Sequence, residues 1–185
     1  MASSGASIYN EIVGQLHVLN HPLAGELLAH LRDLDTPPER FRDLSLTLTT
    51  LLTVEATRDL QTRGSKVLTP LEETDVRVLG QGLAAVPVLR AGLGMLEPVV
   101  QLFRDVKVGY IGLERDHATA VAHSYYCKLP DMTGRYVLCL DPMLATGGSA
   151  SQAISLIKAH VGTTLKMVSI VAAPQGVEGL MHDHP

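Results

Sequence analysis

The sequence predicts an α/β fold: an open, mainly parallel sheet with helices on both faces, preceded by two helices and a small β-hairpin. Three observations predict it. Short apolar runs, GLAAVPVL, VKVGYIGL, YVLCL and LKMVSIVAA, alternate with stretches of helical character, the pattern of a parallel sheet covered on both faces. Glycine-rich turns, RAGLG and DPMLATGGS, follow two of those runs. The 185 residues contain no repeat and no linker, so one domain over 1–185 is expected.

The elements follow in order. Residues 1–7 are small and polar and are predicted to be disordered. After the turn NHPL, a helix is expected over about 24–33. A second should open at TPPE, with Thr36 as its cap, Pro37 in the first helical position and Glu39 reaching back as in a capping box. Phe41, Leu44, Leu48, Leu51 and Leu52 recur at helical spacing and predict one buried face, with the helix running to about Asp59. The stretch EATRD, 55–59, reads either as a polar cluster near a site or as a salt-bridged helix end. SKVLTPLEETDVRVL reads as two strands around a polar turn. GLAAVPVL is then a strand, RAGLG a turn, MLEPVVQLF a helix and VKVGYIGL a strand. Residues 114–122 read as a mobile loop and HSYYCKL as a strand returning from it. YVLCL is a strand, DPMLATGGS a loop, ASQAISLIKAH a helix, LKMVSIVAA a strand and QGVEGLMH the last helix.

Composition excludes several function classes. A formal net charge of −4 argues against bulk electrostatic binding of nucleic acid. No apolar run reaches the roughly 18 residues of a membrane span, and MASSGASIYNEIVGQ has no signal-peptide pattern. A cytoplasmic protein without membrane or nucleic-acid partners is expected. Cys127 and Cys139 lack metal or redox spacing and read as reduced thiols. His182 and His184 lie two apart, which is not helical ligand spacing, so MHDHP reads as a solvated helix end. No GxGxxG follows a strand, which argues against a nicotinamide dehydrogenase.

The loop DPMLATGGS carries the chemistry. Ligands of open parallel sheets sit beyond the carboxyl ends of the strands, where both glycine-rich loops emerge. Gly147 and Gly148 let backbone approach an anion, Thr146 and Ser149 offer hydroxyls, and the next helix points its N–H groups at the same place. Asp141 cannot hold a phosphate but can accept hydrogen bonds from sugar hydroxyls. The combination suggests a sugar phosphate; an ordinary turn is the alternative.

This loop resembles the phosphoribosyl-diphosphate loop of the uracil phosphoribosyltransferases. VPVLRAGLGM resembles the diphosphate loop of that family, and NHPL, EATRD, VGYIGLERD and VAAPQGVE match its pattern in the same order, over about residues 17–185. The resemblance implies a phosphoribosyltransferase-type fold and transfer of a phosphoribosyl group from phosphoribosyl diphosphate to N1 of uracil, giving UMP and diphosphate in pyrimidine salvage. It implies that Arg90 and Arg115 contact the diphosphate, Arg115 from a closing loop. Asp141, Pro142, Met143, Leu144, Ala145, Thr146, Gly147, Gly148 and Ser149 would hold the donor, with Asp141 and Arg115 in catalytic roles. It implies Mg²⁺ carried by the substrate with no protein ligand, a strained non-proline cis peptide at Arg90–Ala91, a homodimer or higher homo-oligomer, and a GTP effector whose site this chain does not locate. In that family a further segment, a hood, reads the uracil edge. That hood is expected to be absent here, so the uracil-contacting residues stay unassigned. A non-catalytic phosphoribosyl-diphosphate or nucleotide-binding regulator on the same fold is the alternative reading.

Overall fold

The computed structural model describes residues 16–115, 122–161 and 164–185. The predicted disorder of residues 1–7 falls outside them. Helix α1, Pro22–Arg32, opens at His21, whose Nδ1 accepts the Leu23 N–H at 3.1 Å. Helix α2 spans Pro38–Ala56. Thr36 is not its cap: the Thr36 hydroxyl donates to His30 O at 2.6 Å and closes the end of α1 instead. Pro37 stands at the N-cap without a side-chain bond, and Pro38 takes the first helical position.

The inward face of α2 also differs from the leucine pattern. Leu44, Leu48, Thr49 and Thr53 are buried, while Phe41 is 45% exposed and Leu51 and Leu52 are half-buried. A buried threonine is tolerated in a helix when its hydroxyl bonds back along the chain. Thr49 does so, donating to Ser45 O at 2.7 Å. Strands β1 (Thr62–Leu68) and β2 (Glu73–Leu79) form the expected hairpin, paired antiparallel from Thr62↔Leu79 to Leu68↔Glu73.

Strand β3, Leu83–Leu89, is the centre of the main sheet and is buried along nearly its whole length. A 3-10 turn over Ala91–Met95 leads into α3, Leu96–Leu102. The run VKVGYIGL forms two pieces, β4 (Lys107–Val108) and β5 (Tyr110–Arg115). Both keep one register against β3, Ala84↔Lys107 and Val88↔Ile111, so they act as one strand interrupted at Gly109. Strand β6, Ala122–Lys128, returns antiparallel on β5. Strand β7, Tyr136–Leu140, pairs parallel with β3, and β9, Leu165–Val168, pairs parallel with β7. The order is β6-β5-β3-β7-β9, with β4 on β3.

The run LKMVSIVAA also divides. After β9 it leaves the main sheet, and β10, Val171–Ala172, pairs parallel with β8, Met143–Leu144, inside the acid-and-glycine loop. Helix α4 spans Gly148–His160 and α5 spans Pro174–Asp183.

Alternation along the strands splits the core in two. Ala84, Val86, Val88, Val137 and Cys139 face Ala153 and Ile157 of α4. Leu83, Ala85, Leu138 and Leu140 face Met95 and Val99, with Leu52 of α2 against the same cluster. Both cysteines are free. Burial, with a smaller contribution from Asp141, pushes the Cys139 thiol up to about 12, so it is inert packing. No helix among the described residues is long and apolar enough to cross a membrane.

Of the two readings of EATRD, the structure shows the salt-bridged helix end. Arg58 Nε donates to Glu55 at 3.0 Å. Asp59 Oδ1 accepts from Lys166 Nζ at 2.8 Å and lies 2.9 Å from Tyr136 Oη. Lys166 Nζ and Tyr136 Oη also reach Ala56 O, at 3.1 and 3.0 Å. These groups fasten the end of α2 to the first residue of β7 and to β9, at the edge opposite Asp141.

Hydrogen bonding from Lys166 holds the Asp59 carboxyl below its ordinary value, against the opposing effect of burial. A depressed folded pKa stabilises the fold above the unfolded value of about 4, and the contribution is lost as pH falls through the folded value. Asp59→Asn is therefore expected to unfold at lower denaturant than the wild type at pH 7. Urea titrations repeated at falling pH should show the gap closing below about pH 4.

Candidate active site

Two adjacent parallel strands deliver the site. The β3–β7 register ends at Pro87↔Leu140, which sets Asp141 level with Val88 and Arg90 two residues further along the neighbouring strand, both at the carboxyl edge of the sheet. The Leu89–Arg90 peptide is cis. This corrects the expectation by one bond, since Arg90–Ala91 was the expected position. The 3-10 turn closes with the Leu93 N–H donating to Arg90 O at 3.2 Å, and Arg90 is exposed.

Gly92 is buried in that turn because nothing larger fits. A Cβ there would strike Leu140 O and lie 3.1 Å from Pro87 Cα. The RAGLG turn therefore rests directly on the end of β7, and the two glycine-rich loops are mechanically joined.

Arg115 is the last residue of β5, paired across the ribbon with Ala122. Leu89 pairs with Gly112, so β5 runs three residues beyond that point, about 10 Å past the end of β3. Glu114, Arg115 and Ala122 are thus strand rather than loop. The remainder of the expected mobile loop, 116–121, lies outside the described residues.

The loop after β7 is a built ledge. The Asp141 N–H donates to Val168 O at 3.2 Å, and Asp141 is half-buried. Pro142 has no N–H to extend the ladder. Its carbonyl instead accepts from Ile170 and Val171, both at 3.1 Å, and Leu144 O accepts from Ala173 at 2.8 Å. Leu144 is buried with Ala150 and Val177, so its side chain anchors the loop from below. Met143 is 63% exposed. Ala145, Thr146 and Gly148 are exposed and Ser149 is half-buried.

Gly147 caps α4 in the left-handed region, at φ +87°, with no side-chain capping bond at that terminus. An N-terminus of this kind leaves N–H groups and the positive end of the helix dipole for an anion. A Cβ on Gly147 would lie 2.9 Å from Gly176 O, and one on Gly176 would strike Ala145 O. The first turn of α5 thus presses directly against the loop that ends at Gly147. Gly176, within the quoted VAAPQGVE, and Gly92, within RAGLG, are the positions that sequence reasoning left without a role. The signal was a glycine placed where an ordinary turn or helix does not demand one.

A parallel α/β sheet whose third and seventh strands carry these two loops has the architecture of a phosphoribosyltransferase. The hypoxanthine-guanine phosphoribosyltransferase of Bacillus anthracis shares the fold at 13% identity and TM-score 0.54, over 72% of this chain and 69% of that one. The family model described as uracil phosphoribosyltransferase matches residues 18–185. The uracil phosphoribosyltransferase of Natranaerobius thermophilus is 46% identical over 175 residues, 94% of this chain and 84% of the relative. That of Thermus thermophilus is 46% identical over 173 residues, 92% and 83% of the two chains. The solved structure of the AQ2163 protein from Aquifex aeolicus matches with TM-score 0.84 at 34% identity, over 91% and 81% of the chains. The chain belongs to the uracil phosphoribosyltransferase family.

The Gly176 contact makes a direct prediction. Gly176→Ala should lower stability by about 1–3 kcal/mol, because backbone must move to admit the methyl group. Gly25→Ala, in α1 with nothing within 4 Å of the added carbon, should instead gain about 0.5–1 kcal/mol. Chemical denaturation of the two variants beside the wild type checks both signs.

Proposed function

We propose that this chain catalyses transfer of the phosphoribosyl group of phosphoribosyl diphosphate to N1 of uracil, releasing diphosphate and forming UMP for pyrimidine salvage. Membership of the family supports the reaction. One geometric observation supports the assignment of residues: the loops that begin at Arg90 and Asp141 leave paired parallel strands at one edge, with the N-terminus of α4 at the end of the second loop.

In the reaction the bond from ribose C1 to the diphosphate oxygen breaks, and the leaving diphosphate takes the electron pair. N1 of uracil bonds to C1, and its proton passes to the released diphosphate or to water. Positive charge grows on the ribose while negative charge grows on the diphosphate, so fixed charges and dipoles are the main catalytic resource. Arg90 and Arg115 take the diphosphate, where planar guanidinium geometry suits paired phosphate oxygens. Asp141 accepts hydrogen bonds from the ribose hydroxyls and opposes the positive charge on the ring. Thr146, Gly147, Gly148 and Ser149 cradle the 5′-phosphate. The helix dipole contributes about 0.3–2 kcal/mol to an anion, and each hydrogen bond to a charged group contributes about 1.5–3 kcal/mol. Several such bonds outweigh the dipole, so the loop's shape matters more than the helix behind it.

Mg²⁺ would enter on the donor, held by its diphosphate and ribose hydroxyls and by water rather than by protein ligands, as suits an ion that prefers substrate phosphates and water to a protein cage. When bound, the ion supplies neutralisation of phosphate charge. A homodimer or larger homo-oligomer and a response to GTP belong to the same reading. Sedimentation, and activity with and without GTP, test them.

Asp141→Ala is expected to reduce UMP formation by about 10²-fold or more, measured with uracil, phosphoribosyl diphosphate and Mg²⁺. An undiminished rate would overturn the role of Asp141. Donor binding by the wild type without any UMP would leave a binding protein in place of the enzyme.

A further inference from the structure

We infer that α5 is the positioning element of the phosphate cradle, acting through a clasp of Ser151, Asp183 and His184. The inference rests on the function proposed above, and it concerns three residues outside the donor loop.

The clasp begins at Ser151, the fourth residue of α4. Its N–H donates to Gly147 O at 2.8 Å, the bond that joins the cap glycine to the helix. Its hydroxyl donates to Asp183 Oδ2 at 2.8 Å. Nε2 of His184 lies 3.0 Å from Ser151 O and 3.1 Å from Ser151 Oγ. On the other side of the ring, Nδ1 lies 3.4 Å from Lys158 Nζ. An ammonium can only donate. Nδ1 therefore accepts, and Nε2 carries the hydrogen that it gives to Ser151. Every role in the cluster is then consistent. Hydrogen bonding from Ser151, followed by that of His182, holds the Asp183 carboxyl below its ordinary value, and the charged form is the better acceptor.

The opposite end of α5 grips the same structure. Gly176, in its first turn, abuts Ala145 and Gly147 so closely that a Cβ on either glycine would meet backbone of the other segment. Between the two ends, Val177 packs with Leu144 and Ala150, with Leu180 and Met181 against the same cluster. Gly147 is thus held from both sides: its loop by the start of α5, its helix by the end. The N–H groups of the cradle take their direction from these two attachments. Those N–H groups bind the donor's phosphate only at hydrogen-bonding distance and angle, so a cradle that shifts loses affinity for the donor. Ser151, Asp183 and His184 act on the donor through the residues they hold, so they are positioning residues.

The test uses the whole chain. Affinity for phosphoribosyl diphosphate with Mg²⁺ is measured by calorimetry, and steady-state kinetics are run for both substrates. Ser151→Ala and Asp183→Ala should each weaken donor binding by about 5- to 10-fold, the loss expected for one positioned hydrogen bond. The KM for the donor should rise in parallel, while kcat and the KM for uracil stay within about twofold. Asp183→Asn should keep near-wild-type affinity, since its amide oxygen still accepts from the Ser151 hydroxyl. Ser151→Ala removes one oxygen from a half-buried position, so it keeps the test open if Asp183→Ala fails to fold. Donor affinity unchanged in Ser151→Ala, with only a lower melting temperature, would overturn the inference and leave a purely structural contact. An equal rise in the KM for uracil would overturn it too. A wild type that binds no phosphoribosyl diphosphate would instead remove the functional reading on which the inference rests.

Discussion

Parallel pairing of β3 with β7 is the constraint on which the remainder of the structure depends. Both strands are buried on both faces, and their register places the exits of two loops side by side. A slip of one residue would turn every core side chain of β7 to the wrong face. Ala84, Val86, Val137 and Cys139 on one side, and Leu83, Ala85, Leu138 and Leu140 on the other, forbid that slip. The relative placement of Arg90 and Asp141 is therefore a by-product of core packing.

Close backbone approach then converts a shared edge into one rigid site. Gly92 lets the first loop lie on the end of β7, and Gly147 with Gly176 lets α5 lie on the second. In each case a Cβ would be stopped by a carbonyl or a Cα, atoms that cannot swing aside. Such contacts leave no room for adjustment, which is what preorganised stabilisation of developing charge requires. The small β8–β10 ladder adds to this, because it ties the middle of the donor loop to the segment that leads into α5.

The opposite edge of the sheet is organised by different means. There the end of α2 is fastened by Asp59, Tyr136 and Lys166, with the carbonyl of Ala56 shared between two donors. β7 is five residues long, so about 16 Å separates this anchor from Asp141. Charged groups fasten a helix at one edge, while the other carries the exposed Arg90 and the N-terminus of α4 without a side-chain capping bond.

Much was legible before any tertiary information. Apolar runs and their spacing marked the strands, and the strand–loop–helix order around 136–160 was legible with Asp141 at the strand end. Local chemistry sufficed there, because strand, turn and helix start are each specified within a few residues. Other features depended on partners distant in sequence. Thr36 bonds back to α1 rather than forward to α2, the inward face of α2 includes Thr49 and Thr53, and LKMVSIVAA breaks because Pro142 draws its second half away. By itself, then, the sequence determined the order of elements, the glycine-rich loop after β7 and the family. Only the tertiary structure decided that the RAGLG turn rests on the end of β7, that EATRD serves as an anchor, and that α5 grips the cradle at both ends. The reason is physical: a pattern along the chain encodes local conformation and burial, whereas a contact between distant backbones exists only once the sheet has set their distance.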